Sequence, residues 1–152
     1  MKQLITFLIS LFLSFNVLAK ADDCDDLCKK QQVEVYLEHI VKIFIDGSTE
    51  SDIDEFLVQL HEDIKYEHPE YGANFDKKSW RKAFVRQLNL GNYTDTPNLK
   101  GGIINIIYGK HHAAVEYSYG KTQNDGSWQK DHVKFALFGF TDGKVSLVRE
   151  YW

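Results

Sequence analysis

The chain is predicted to be an α+β domain, with helices first and an antiparallel sheet last. Three observations carry that prediction. Apolar residues recur at helical spacing over three stretches between Leu27 and Asn89. From Gly102 onward the chain reads as strand after strand. The final run, HVKFALFGFTDGKVSLVREYW from His132 to Trp152, holds an Asp142-Gly143 pair between two apolar segments. That pair signals a two-residue hairpin, because a type I′ turn needs positive φ at both central positions. Helices followed by strands place the helices on one face of a curved sheet.

Each element has a local reason. From about Leu27 to Ile45, Val33, Leu37, Ile40 and Phe44 form one helical stripe, which Val41, Ile43 and Ile45 widen before Asp46-Gly47-Ser48 ends it. Ser51 is the expected N-cap of a short second helix with Asp52, Asp54 and Glu55 in its first turn, where acids complement the dipole. Asp63 to His68 alternates as a strand, and Pro69 stops it because it has no N–H for a ladder. Pro69, Gly72 and Asn74 make the next segment a loop. Asp76 caps a third helix, Lys77 to Asn89, with Trp80, Ala83, Phe84, Gln87 and Leu88 inward and Gly91 where a C-cap glycine belongs. Thr94 to Lys100 connects to four strands, Ile103–Tyr108, Ala113–Lys121, Trp128–Phe140 and Val145–Trp152.

A turn at Asp142-Gly143 pairs Thr141 with Lys144 and divides the last hairpin into two faces. One carries Val133, Phe135, Leu137, Val148, Glu150 and Trp152. The other carries His132, Lys134, Ala136, Phe138, Leu147, Arg149 and Tyr151. A turn over Thr122–Ser127 sets Glu116 opposite Lys134, an opposite-charge pair, and brings Tyr117 and Tyr119 onto the first face. Ile104, Ile106 and Tyr108 join it if the Gly109-Lys110 turn has two residues. The first face, aromatic with a single acid, is taken as the concave, helix-covered one.

At 152 residues the chain is one domain, long enough to bury a core. Its formal charge of −4, with no basic cluster longer than a dipeptide, excludes nucleic acid and anionic membrane as partners. Lys2, the apolar run Leu4–Leu18 and the small residues after it read as a signal peptide over residues 1–21, cleaved after Ala19 or Ala21. Residues 22–152 then form the domain, exported to the periplasm or secreted. An uncleaved anchor is the alternative, but no positive stop-transfer flank follows. Export permits a local Cys24–Cys28 disulfide, and two free thiols are the other reading. Six histidines without ligand-like spacing give no metal site.

Three helices, a short strand ending in His68-Pro69 and a bent sheet closing on DGKVSLVREYW resemble the NTF2-like superfamily, in its SnoaL-like and ketosteroid-isomerase-like branches. The carrying residues are Tyr66-Glu67-His68-Pro69-Glu70-Tyr71-Gly72 and Phe140 to Trp152, and the resemblance runs from about Val33 to the end. It implies a cone of three helices on a strongly curved antiparallel sheet. It also implies a general base immediately before the strand-ending proline. His68 stands there, and its ordinary pKa of ~6.5 suits proton transfer near neutrality. The same resemblance puts Val148, Glu150 and Trp152 along a pocket. The branch's first-helix tyrosine would fall near Ile40 and its late-strand acid at Ala136 or Leu137, so neither donor is found where it is implied.

The candidate catalytic residues are therefore His68, Glu150 and Tyr117 (or Tyr119). Tyr66, Trp80, Phe84, Tyr119, Phe135, Val148 and Trp152 would shape an aromatic pocket for a small apolar or aromatic molecule. The expected chemistry is cofactor-free isomerisation, dehydration or cyclisation. The plainer readings are a strand-end His68 bonded to a backbone carbonyl, a structural Glu150 held by Arg, Lys or Tyr, and aromatics that are simply core. A non-catalytic binding domain, or a homodimer through the Glu116, Lys134 and Arg149 face of the sheet, is the alternative function.

Overall fold

The computed structural model describes residues 24–91 and 98–152. The expected signal peptide and residues 94–97 of the expected connecting loop lie outside them. Helix α1 (Asp26–Ile43) opens on Asp25, whose carboxylate accepts from the Cys28 N–H at 2.8 Å. Cys24 lies just outside the helix and is bonded to Cys28, with Cα atoms 5.3 Å apart. Of the two cysteine readings, the structure shows the bridge.

Helix α2 (Glu50–Gln59) starts earlier than predicted. Thr49, not Ser51, is its N-cap, because Asp52 reaches back to accept from the Thr49 N–H at 2.7 Å. Strand β1 (Lys65–His68) leads through a 3₁₀ turn, Pro69–Tyr71, into β2 (Ala73–Asp76), which pairs antiparallel with β1. The expected loop after Pro69 is thus a hairpin, reversed by Gly72 at φ 64°. Helix α3 (Lys77–Asn89) is capped as predicted: Asp76 accepts from Ser79 N–H at 2.7 Å, and Ser79 Oγ accepts from Asp76 N–H at 2.9 Å.

The remaining strands are β3 (Leu99–Tyr108), β4 (His112–Thr122), β5 (Trp128–Lys130), β6 (Lys134–Thr141) and β7 (Lys144–Glu150). The curved, unclosed sheet runs β2-β1-β7-β6-β4-β3, with β5 on β4. It is mixed rather than wholly antiparallel, because β1 pairs parallel to β7. A strand placed between the helices enters the sheet beside the last one, running in the same direction. Helices α1, α2 and α3 cover the concave face, where Tyr36 meets Phe56 and Phe138 edge-on at 5.4 and 5.2 Å.

The Asp142-Gly143 turn forms, with φ of 49° and 71°, and Thr141 pairs with Lys144. Two slips then turn β6 over. Phe140 pairs with Val145 but Gly139 with Leu147, which leaves Ser146 as the extra residue of a bulge. On the other side the predicted register holds at Thr122↔Trp128 and Gly120↔Lys130. It has moved by one residue at Tyr117↔Lys134, and the chain between β5 and β6 is irregular. The β4 and β7 faces are as predicted, whereas β6 points Lys134, Ala136 and Phe138 inward and Phe135 and Leu137 outward. In β3 a longer turn pairs Tyr108 with Ala113. A bulge between Ile103 and Asn105 puts Ile103, not Ile104, against the core.

Candidate functional site

Glu150 is the centre of the inner face. It is 4% exposed and its side chain accepts two phenolic hydrogen bonds. Tyr66 OH donates to Oε2 at 2.6 Å, and Tyr117 OH donates a short hydrogen bond to Oε1. Accepting from two hydroxyls is the bonding pattern of a carboxylate. Tyr66 comes from β1 and Tyr117 from β4, on either side of the β7–β6 pair. The curvature of the sheet is what brings their hydroxyls to one point.

The tyrosines here are held protonated. Burial, and then the neighbouring Tyr119 and Glu150, push the Tyr117 hydroxyl far above its ordinary range; a hydrogen bond from Trp152 works weakly the other way. Burial followed by the charge of Glu150 raises Tyr66 and Tyr119 as well. These phenols are donors at any physiological pH. Tyr66 also stacks on Trp80 at 4.6 Å, and the Tyr119 ring meets Tyr117 edge-on at 5.7 Å. Val148 lies between Tyr66 and Phe138 in the ladder and is fully buried. Phe84 stacks on Trp80 at 5.4 Å. Phe135 is 40% exposed and packs on Tyr151 on the outer face, because β6 is turned over.

His68 ends β1 with 2% of its surface exposed, and neither ring nitrogen has a hydrogen-bond partner. The expected bond to a backbone carbonyl is not made. The ring meets Tyr71 edge-on at 4.5 Å and Trp152 edge-on at 4.8 Å, and those two rings touch each other at 6.3 Å. The parallel register pairs Tyr66 with Val148 and Glu67 with Arg149, so one further step sets His68 beside Glu150 on the inner face. On the outer face Glu67 accepts a short hydrogen bond from Arg149, which ties the same two strands together.

Two inner-face residues were not among the predicted site residues. Tyr36, on α1, is buried with an unpartnered hydroxyl, raised well above the usual tyrosine range by burial and then by Glu150 and the other three tyrosines. A first-helix tyrosine is therefore present, one turn before the position near Ile40 that the resemblance implied. The i, i+3, i+4 and i+7 spacing of Val33, Tyr36, Leu37 and Ile40 could have shown it. Glu150 sits directly across the ladder from Ala136, one of the two positions at which the resemblance implied an acid. The second residue is Lys134, assigned from the sequence to the outer face. It is the cross-strand partner of Tyr117, with its Nζ 2.9 Å from the centre of a Trp152 ring.

A surface groove of about 1070 Å³ between α1 and the start of β3 is lined by residues such as Leu37, Val41 and Gly101 and contains none of this cluster. The chemistry-bearing side chains converge inside the cone, so we place the candidate site there. Among the described residues no group of three His, Cys, Asp or Glu side chains is positioned to hold a metal ion.

No family model matches the chain, and no curated protein matches it in sequence. Solved structures do match. The chain is similar to a protein of unknown function with a cystatin-like fold from Methylobium petroleophilum PM1, at 12% identity over 85% of this chain and 78% of that one, with a TM-score of 0.51. It is similar to a hypothetical protein with a ketosteroid isomerase-like fold from Catenulispora acidiphila DSM 44928, crystallised in complex with trimethylamine, at 12% identity over 78% and 85% of the two chains, TM-score 0.50. An NTF2-like protein of unknown function from Exiguobacterium sp. 255-15 matches at 15% identity over 78% and 95%, TM-score 0.49. At such identities the likeness is one of fold. The chain has the α+β cone of the NTF2-like, ketosteroid isomerase-like proteins.

Proposed function

We propose that the interior of the cone binds a small organic molecule and moves a proton on it without a cofactor, with His68 as acceptor and Glu150 and Tyr117 orienting the substrate. The observation that carries this reading is the pairing of orphan and clamped groups. His68 is buried with two unpartnered nitrogens, one register step from a carboxylate held by two phenols. A buried polar group left without a partner costs about 1–3 kcal/mol, so such a ring is suited to gaining one from a ligand. The Tyr36 hydroxyl, which feels the charge of the same carboxylate, is a second unpartnered group. Isomerisation, dehydration and cyclisation all begin with proton removal next to a carbonyl or hydroxyl.

The test is α-proton exchange from D2O, followed by NMR on cyclohexanone, 2-cyclohexenone and 2-tetralone. The protein should accelerate exchange of at least one ketone, and His68→Gln should reduce that acceleration by about 100-fold or more while leaving binding in place. Binding without exchange on any of the three supports a non-catalytic pocket instead. Export from the cytoplasm belongs to the same proposal, supported by the Leu4–Leu18 run and by the Cys24–Cys28 bridge.

One observation favours a second reading, a homodimer through the sheet. The outer face exposes Ile107 (66%), Phe135, Val133 and Tyr151 beside Glu116 and the Glu67–Arg149 pair. Lys134 is not part of that face. Sedimentation velocity should show a dimer that Phe135→Glu dissociates; a monomer at all concentrations removes this reading.

A further inference from the structure

The inner face already holds one cation, and that cation is the protein's own. Lys134 projects inward from β6 because the chain slips one residue between β5 and β6. Its ammonium stands 2.9 Å from the centre of a Trp152 ring and feels the charges of Glu150 and Asp131. An ammonium over an indole is held by the ring quadrupole, a contact that strengthens as water is excluded. Lys134 nevertheless makes no ion pair with Glu150 among the described residues, and the carboxylate oxygens accept from Tyr66 and Tyr117 instead. The charge of the acid is felt across the inner face, by Tyr36, Tyr119 and Lys134.

Around that charge stand aromatic faces and edges, Tyr117 and Tyr119 from β4 and Trp152 after β7, with the exposed Tyr71 ring against both Trp152 and His68 at the surface. His68 adds an unpartnered ring nitrogen that can accept from an N–H. Aromatic rings around a single carboxylate recognise organic cations, and they penalise anions by the same electrostatics.

We infer that the ligand of this site is a small organic ammonium compound, and that the Lys134 side chain occupies the Trp152 face as a tethered stand-in which the ligand displaces. The inference rests on the proposal that the cone interior takes a small molecule, and it names the class of that molecule. Displacement costs the protein little covalent rearrangement. Lys134 has a flexible stem, is the first residue of β6 and only partly buried, and can swing to solvent once another cation covers the indole.

The experiment compares choline with 3,3-dimethylbutan-1-ol, which has the same shape without the charge. Binding is followed by tryptophan fluorescence and calorimetry on the whole protein and on Lys134→Ala. Lys134→Ala should bind choline about tenfold tighter than the alcohol, and tighter than the unsubstituted protein does, the size expected for one desolvated cation–π contact. Adding Glu150→Gln should remove most of that preference. In the unsubstituted protein the ε-methylene protons of Lys134, shifted upfield by the indole ring, should move back towards ordinary values as choline is added. This NMR reading needs no variant and stands even if Lys134→Ala fails to fold. Equal affinity of Lys134→Ala for choline and the alcohol overturns the cation class and leaves the small-molecule pocket in place. Failure of the folded variant to bind either compound overturns both. Lysine resonances that do not move across the titration overturn the displacement.

Discussion

At the scale of single residues, Glu150 is the position on which the inner face depends. Tyr66 and Tyr117 satisfy its two oxygens from strands on either side, so removing either hydroxyl leaves a buried acceptor short of a donor. Tyr66→Phe and Tyr117→Phe should each lower stability by about 1–3 kcal/mol in urea unfolding, although each removes one atom and opens no large cavity. A loss near zero would show water taking the place of the hydroxyl. Glu150 could be singled out from the sequence because it is a lone acid on an aromatic face, and His68 because it precedes Pro69. Tyr36 was just as legible by its helical spacing, but a tyrosine in an apolar stripe reads as core until its hydroxyl is seen to lack a partner. Lys134 was not legible. Its side is set by a one-residue irregularity for which no turn residue stands as a marker.

Among the elements, caps and tight turns follow from local chemistry. Asp76 and Ser79 bond each other's backbone, and Asp142-Gly143 turns where two residues of positive φ are required. What local chemistry does not specify is where a ladder skips a residue. The bulge at Ser146, the slip between β5 and β6 and the Ile103/Asn105 bulge each alter which side chains share a face, and together the first two turn β6 over while its neighbours keep their facing. The close approach of α1 to β3 is another long-range fact, visible only as a bare Gly101-Gly102 pair in the chain. A Cβ on Gly101 would stand 2.9 Å from Leu37 Cβ and 3.0 Å from the Leu37 carbonyl oxygen. Gly101→Ala should therefore push α1 off the strand and cost about 1–3 kcal/mol in thermal or urea unfolding, whereas the same change at the open Gly126 turn meets no neighbour and acts only through its positive φ.

For the whole molecule, the buried phenols tie stability to alkaline pH. Tyr36, Tyr66, Tyr117 and Tyr119 all have hydroxyls raised above the ordinary value of 10.0 by burial first. A group whose folded pKa is raised contributes stability that is fully present below the unfolded value and is lost as pH climbs through and beyond it. These tyrosines should stay silent at 295 nm while exposed ones ionise, then titrate together with loss of the near-ultraviolet circular dichroism signal. Ionisation of all eight tyrosines before any unfolding would contradict the burial of this cluster. The parallel contact of β1 with β7 also has a meaning in time. Tyr66 and Glu150 are 84 residues apart in sequence, and between them lie α3 and five of the seven strands. That contact closes a long loop at a larger entropy cost than the local helices or the β6–β7 hairpin, which places it after them in the order of assembly. Until the last strand arrives, β1 holds a histidine and a tyrosine without the carboxylate. A chain emerging in order from its first residue cannot assemble this cluster until β7 is in place.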